Sequence, residues 1–161
     1  MASRRKGRIL AFQALYSWDA VRKFPAVPAE TSIPEGLLEF SWLEPEKQKN
    51  LDENISNFSR LLIVGAIENI DAIDAMIRSH LQNWDFSRLN RVDLAILRMS
   101  VYTLMFQGDV APSIVIDEAI GISKEFGADE SYRFINGVLD NIRRTVQKQA
   151  AGTGESLCPR A

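Results

Sequence analysis

Apolar side chains recur every third or fourth residue along most of this 161-residue chain, and that spacing constrains the fold more than any other feature. It is the period of an α-helix with one buried face, whereas a half-buried strand would alternate every second residue. The first such segment covers residues 4–23, and Ser3 is its expected N-cap. We expect Phe12 and Trp18 to belong to the core. The apolar face of this segment consists of Ile9, Phe12, Leu15 and Tyr16.

Prolines divide the chain after the first helix. They predict a loop over residues 25–34, and Pro34 then suits the first position of a short helix over residues 35–43. Residues 48–83 contain no proline and are helical in pattern. Their two apolar stripes are offset, which predicts either two helices that meet near Asn69 or one strongly kinked helix.

Three further segments complete the pattern. Residues 90–106 have the helical spacing throughout. Residues 110–116 are rich in β-branched side chains and could form a strand, but the apolar face continues with a helical period up to Gly127, an expected C′ residue. Asp129 or Ser131 is positioned to cap the last helix. The sequence therefore predicts an all-α protein of about seven helices.

The chain length fits one domain. About 70% of the surface of a chain of this size is buried on folding, which is enough for a core without disulfides or a structural metal. We expect this single compact domain to cover residues 1–149 and residues 150–161 to form a flexible C-terminal tail. Cys158 is the only cysteine, which excludes an intramolecular disulfide and is typical of a reducing compartment, here expected to be the cytoplasm. No apolar run is long enough to span a membrane.

The sequence contains no pattern typical of a catalytic or cofactor site. It has neither a Walker-type phosphate loop nor the glycine-rich turn of a dinucleotide-binding fold. His80 is the only histidine and cannot build a zinc site with the single distant thiol. A Ser-His-Asp triad would depend on His80, whose place near a predicted helix end favours an interaction with the helix dipole instead. Its acidic pairs, such as Asp71 with Asp74, are ordinary on the surface of a helix. We therefore expect no enzymatic activity, no cofactor and no metal.

The distribution of charge is more informative than its total. The formal net charge is −2, but residues 1–8 carry Arg4, Arg5, Lys6 and Arg8 and no acidic residue. Such a block of positive charge indicates a polyanionic partner such as a nucleic acid. Gln13 and Tyr16 follow on the same predicted helix and could contact an unpaired base. A basic segment that only improves solubility is the alternative.

Two other segments combine polar and aromatic residues. Residues 126–137 place polar side chains and backbone N–H groups at a helix N-terminus, where a phosphate or a base edge can bind. The alternative is an ordinary helix stop followed by a cap. In residues 91–102, Arg98 is surrounded by apolar residues and needs a carboxylate partner. A structural ion pair and an anchor for a protein partner both remain open.

Four motifs, in order and at matching spacing over residues 3–145, resemble the NusB family. The arginine-rich start leads into Ala11-Phe12-Gln13-Ala14-Leu15-Tyr16. The others are Ala95-Ile96-Leu97-Arg98 with Tyr102, Pro112 through Ile116-Asp117-Glu118-Ala119, and Lys124-Glu125-Phe126-Gly127 with Phe134-Ile135-Asn136-Gly137-Val138-Leu139-Asp140.

The resemblance implies two packed helical bundles without catalytic activity, acting in transcription antitermination. It implies that the chain binds the single-stranded boxA element of nascent ribosomal RNA together with NusE, a ribosomal small-subunit protein, and acts on elongating RNA polymerase with other Nus factors. A homodimer is a further state that the resemblance allows. By position, the RNA-binding residues would be Arg4, Arg5, Lys6, Arg8, Gln13, Tyr16, Glu130, Arg133 and Phe134. The residues facing NusE would be Asp93, Arg98 and Tyr102.

The sequence departs from the family pattern at three positions. Gly7 stands where alanine is usual, which would loosen the start of the helix by about 1 kcal/mol. Asp117 stands where asparagine is common, and Gly121 interrupts a helix. Two other readings remain: a module related to those fused to RNA methyltransferases, or a helical protein-interaction module that does not bind RNA.

Overall fold

Seven α-helices and one short 3₁₀ helix make up the computed structural model, which describes residues 2–22, 33–82 and 85–157. The helices are α1 (Ala2–Arg22), α2 (Pro45–Lys49), α3 (Glu53–Glu68), α4 (Ile70–Ser79), α5 (Arg91–Phe106), α6 (Pro112–Phe126) and α7 (Ser131–Leu157), with the 3₁₀ helix at Phe86–Arg88. These described ranges contain no strand, which confirms the all-α fold class. None of their helices combines the length and hydrophobicity that a bilayer-spanning segment needs.

Helix α5 is central to the fold and packs against α1, α3, α4, α6 and α7. Every residue from Asp93 to Val101 on this helix is buried, as expected for a helix that is surrounded by others. Helices α1 and α3 pack on each other and on α5, and α6 and α7 do the same. Two helical bundles therefore share α5. Phe12 and Trp18 are buried in this core, which confirms the prediction for both.

Side-chain caps fix where α3 and α5 begin. The Asn90 side-chain oxygen accepts hydrogen bonds from the N–H groups of Val92 and Asp93, at 2.9 and 3.4 Å. Asp52 caps α3 in the same way. These contacts satisfy N–H groups that have no partner within their own helix.

The proline-free segment over residues 48–83 was predicted to form either two helices or one kinked helix, and after the short helix α2 it forms two helices, α3 and α4. The break is at Asn69, whose backbone N–H and side-chain Nδ2 both donate to the carbonyl oxygen of Gly65, at 3.2 and 2.8 Å. These bonds close the last turn of α3 before α4 starts at Ile70. The segment predicted as strand or helix is also helical from Pro112 onward.

The prediction of a short helix over residues 35–43 is wrong. This segment is a series of turns in which Gly36 and Phe40 have φ angles of 88° and 56°. Those left-handed angles are incompatible with a continuous right-handed helix. Phe40 is held there by burial, and Arg60 stacks on its ring and donates to the Leu38 carbonyl oxygen at 2.8 Å. The next helix begins instead at Pro45.

Several predicted helix ends also move. Helix α1 begins at Ala2, so Ser3 lies inside it and is not its N-cap. Ser131 is the first residue of α7, which leaves the N-cap position to Glu130. Gly127 caps α6 with a φ of −89°, without the left-handed angle expected of it.

Helical backbone continues to Leu157, into the segment predicted as a tail. The division into a domain over residues 1–149 and a flexible tail stays a prediction. Most of the loop predicted at residues 25–34 lies outside the described residues, as does Cys158.

Candidate nucleic-acid interface

The basic residues near the N-terminus form the first turns of α1. Arg4 and Arg8 are one turn apart, and their guanidinium carbons lie 4.3 and 5.4 Å from the centre of the Phe58 ring on α3. A Cβ atom on Gly7 would come within 2.6 Å of that ring, so glycine allows Phe58 to lie between the two arginines. The glycine that departs from the family pattern therefore has a packing role.

Arg5 faces α6. Its Nη1 lies 3.7 Å from Oε2 of Glu118, and its guanidinium covers Gly121, where a Cβ atom would be 2.6 Å from Nη2. Glu118 also acts on Arg8: burial lowers the pKa of the half-buried Arg8 guanidinium, and the Glu118 charge opposes that effect. Arg4, Arg5 and Arg8 thus belong to one surface formed by α1, α3 and α6.

Lys6 does not join this surface. It lines a separate groove of about 290 Å³ with residues of α2 and its flanks, among them Glu46, Lys47 and Asn50. The four cations were predicted as one cluster, but the helical period directs the fourth away from the other three.

Gln13 and Tyr16 lie further along α1, beside an apolar groove of about 370 Å³. Gln13 accepts a hydrogen bond from Nε1 of Trp42 at 3.2 Å, and the Tyr16 side chain is 44% exposed. Phe126 at the end of α6 completes the groove and contacts Phe12, with 5.2 Å between ring centres. The sequence did not assign Trp42 to a site and placed Phe126 only at the edge of the candidate segment 126–137, because apolar periodicity alone does not separate exposed aromatic residues from core residues.

The start of α7 forms a third groove, of about 430 Å³, with the start of α5. Glu130 and Phe134 line this groove together with Asp93. Arg133 is exposed and makes an ion pair with Glu130 at 3.0 Å. The structure therefore places Glu130 and Phe134, predicted to contact RNA, beside Asp93, predicted to contact a protein.

Asp93 is 6% exposed and has an unusual environment for a carboxylate. Its Oδ1 has no hydrogen-bond partner among the residues that the structure describes, although Ser131 hydrogen bonds to the carboxyl group. Burial raises the pKa of this carboxyl, and the Ser131 bond partly offsets that rise. A buried acceptor without a hydrogen-bond partner disfavours the charged form of the carboxyl group.

Arg98 is 4% exposed and lies within the fold. Its guanidinium binds Asp74 on α4 through two hydrogen bonds of 2.9 Å and Asp19 on α1 through one of 3.0 Å. Arg91 completes the cluster by an ion pair with Asp19 at 2.7 Å. The structure thus corresponds to the ion-pair alternative and leaves almost no surface of Arg98 for a partner, so its assignment as a partner-facing residue needs correction.

Tyr102 lies on the C-terminal half of α5, roughly 13 Å along the helix from Asp93 at 1.5 Å per residue. Its ring stacks on Phe106, with 5.6 Å between ring centres, and covers Gly65 of α3 so closely that a Cβ atom there would be 2.2 Å away. Asp93, Arg98 and Tyr102 therefore do not form one surface patch.

Comparison of the sequence with models of known protein families shows which family the chain belongs to. The family model described as NusB family matches residues 5–144, which include the whole candidate interface. The chain belongs to the NusB family.

Relatives in the NusB family support this assignment over nearly their whole length. The protein named Transcription antitermination protein NusB in Treponema denticola is 49% identical over 140 residues, which are 87% of this chain and 95% of the relative. The protein of that name in Treponema pallidum is 47% identical over 142 residues, 88% of this chain and 93% of the relative.

Solved NusB structures share the fold. The Thermotoga maritima NusB structure has a TM-score of 0.71 and 31% sequence identity, covering 88% of this chain and 90% of its own. A crystal structure of the antitermination factors NusB and NusE in complex with dsRNA has a TM-score of 0.72 and 26% identity, covering 90% of this chain and 98% of its own. The two-bundle architecture is therefore that of the NusB family.

Proposed function

We propose that this NusB-family chain is a transcription antitermination factor that binds the single-stranded boxA element of nascent ribosomal RNA. It does so together with NusE and acts on elongating RNA polymerase with other Nus factors. The chain itself supplies binding surfaces and no catalytic group.

The observation that carries this proposal is a stripe of side chains along α1. Arg5, Phe12 and Tyr16 are spaced by seven and four residues, so they share one helix face. Arg5 and Phe12 on this face both contact α6. The cation at one end suits a phosphate, and the exposed Tyr16 ring at the other end suits an unstacked base, which is the combination that single-stranded RNA requires.

The start of α7 extends this surface. Arg133 is exposed and close to Glu130, and Phe134 lines the neighbouring groove. The N-terminus of a helix favours an anionic group, and an aromatic ring beside it offers a surface for a base. We therefore assign RNA contacts to Arg4, Arg5, Arg8, Gln13, Tyr16, Glu130, Arg133 and Phe134, with Lys6 contributing from the adjacent groove.

Asp93 is the residue we assign to the NusE contact, since it lines the groove between the starts of α5 and α7. Tyr102 remains a proposed contact further along α5. Arg98 supports this surface from within, because it connects α5 to α1 and α4. The known complex of NusB and NusE with dsRNA supports joint binding of both partners.

A binding assay with and without NusE tests the proposal. Simultaneous contact with protein and RNA raises the affinity for each, because the second contact becomes intramolecular. We expect boxA RNA to bind more tightly in the presence of NusE and to exceed a scrambled RNA of equal length and composition. Equal binding of the two RNAs with NusE present would contradict boxA recognition.

A further inference from the structure

Glu118 is an acidic residue inside the basic surface where RNA is proposed to bind. Its side chain is 20% exposed, and its Oε2 lies 3.7 Å from Nη1 of Arg5. That oxygen has no hydrogen-bond partner among the described residues, so the pair is held by charge alone. An acid at this position would by itself repel a phosphate.

Gly121 lies one turn after Glu118 on α6 and provides the space that Arg5 occupies. A Cβ atom there would lie 2.6 and 2.8 Å from the two terminal nitrogens of Arg5. The guanidinium therefore lies flat across the backbone of α6, with 39% of the side chain still exposed. Arginine has five N–H donors, and one carboxylate at this distance leaves them available to a phosphate.

Arg8 lies on the same surface, beside the Phe58 ring. It is half-buried, and burial disfavours its charge while Glu118 favours it. Without Glu118, the Arg4 charge would act on Arg8 without opposition from that carboxylate. Glu118 is thus attracted to both Arg5 and Arg8, and the summed charge of these three side chains stays positive.

We propose that Glu118 and Gly121 are positioning residues, which hold the guanidinium group of Arg5 in the arrangement that binds RNA phosphates. This inference rests on the proposed RNA-binding function. Side chains that are ordered before binding lose less conformational entropy on binding. The favourable effect of this order on affinity exceeds the repulsion between Glu118 and the RNA.

Substitution Glu118→Gln distinguishes positioning from simple repulsion, since the two predict opposite signs. Glutamine keeps the shape and removes the charge. If Glu118 only repels RNA, E118Q binds boxA RNA more tightly. If Glu118 positions Arg5, E118Q binds boxA RNA about tenfold more weakly, which is the loss expected for one charged contact. The matched control is Asp117→Asn on the exposed neighbour, for which we expect unchanged or tighter binding, by no more than about fivefold.

Substitution Gly121→Ala tests the space for Arg5 without a change of charge. Alanine favours the helix, so we expect the thermal midpoint to stay equal or rise. The Arg5 side chain must move, and RNA affinity falls while the slope of log affinity against log salt decreases in size by about 0.7, the value for one phosphate contact. In an R5A background, G121A has no further effect on affinity if it acts through Arg5.

These measurements separate the two proposals. Wild-type protein that does not bind boxA RNA with NusE overturns the RNA-binding function and this inference with it. If wild-type protein binds boxA RNA and E118Q binds it equally well or more tightly, the positioning role is overturned and the RNA-binding function is not. If E118Q does not fold, G121A decides: a loss of affinity that disappears in the R5A background supports the inference, and an unchanged affinity overturns it.

Discussion

Arg98 on α5 and Asp74 on α4 form a two-point ion pair in the core. Nε of Arg98 donates to Oδ1 of Asp74 and Nη2 donates to Oδ2, each at 2.9 Å. The remaining Nη1 donates to Asp19 of α1 at 3.0 Å, so one side chain connects three helices. The connection fixes α1, which carries the proposed RNA-binding stripe, relative to α4 and α5.

We predict that Arg98→Met lowers the free energy of unfolding by about 3–5 kcal/mol, because it leaves buried carboxylates without their cation. Arg91→Met is the matched control: its side chain is 37% exposed, and Asp19 would keep Arg98 as a partner. For R91M we expect a loss of about 1 kcal/mol or less. Urea unfolding of the three proteins measures both values. Equal losses in R98M and R91M would contradict the larger stabilising effect assigned to the buried Arg98.

Two helical glycines should respond oppositely to alanine. At Gly65 a Cβ atom would overlap the Tyr102 ring at 2.2 Å, and at Gly137 nothing lies within 4 Å. We expect Gly65→Ala to destabilise the protein by about 1–3 kcal/mol through overpacking. Gly137→Ala should stabilise it by about 1 kcal/mol through helix propensity. Thermal unfolding compares them, and a G65A protein as stable as G137A would refute the close packing of α3 on α5.

Periodicity predicted the long helices because their buried faces repeat along each helix. It failed at residues 35–43, where Leu37 and Phe40 have helical spacing but are buried in a series of turns. Phe40 has a left-handed φ angle and packs against Arg60 of α3, a contact between segments distant in sequence. No local pattern contains that information.

Asp93 gives a prediction for pH dependence. Burial raises the pKa of its carboxyl in the folded state, so the folded protein binds this proton more tightly than the unfolded chain does. Its contribution to stability is therefore full below the unfolded pKa and is lost as the pH rises through the folded pKa. Asp93→Asn removes the ionisable group. We expect D93N to be more stable than wild type at neutral pH, with the difference vanishing in acid.

Urea unfolding at about pH 7 and about pH 3 tests this prediction. Exposed Asp129 provides the control, since D129N should not show the same pH-dependent gain. The same D93N variant should bind NusE more weakly if Asp93 accepts a hydrogen bond from the partner. A D93N protein that is less stable than wild type at neutral pH would contradict the burial argument.

The aromatic residues proposed to stack on bases give a further prediction. Tyr16→Ala should weaken boxA RNA binding by about 1–3 kcal/mol, the value typical of one stacked base. Its side chain is 44% exposed, so the fold should persist. Phe106→Ala is the control, because Phe106 is 46% exposed but lies at the far end of α5, beside Tyr102. Fluorescence titration with RNA compares the two, and equal weakening would argue against a specific stacking site.

The chemistry of the site could be predicted from the sequence, but its arrangement could not. Basic residues in the first eight positions indicated a polyanion, and that inference needs no tertiary structure. The pairing of Arg5 with Glu118 and of Gln13 with Trp42 joins residues far apart in the chain, so only the fold defines them. The same limit applies to Arg98, for which the sequence left an ion pair and an interface anchor open.

The salt dependence of RNA binding tests the central proposal most directly. With about four phosphates neutralised by Arg4, Arg5, Lys6 and Arg8, the slope of log affinity against log salt should be about −3 for single-stranded RNA. In a variant with alanine at Arg4, Arg5 and Arg8, the slope should fall to about −0.7, and binding at low salt should weaken strongly. Wild-type binding that stays constant between about 50 and 300 mM salt, or a triple variant that binds as tightly as wild type, would contradict the proposed role of α1.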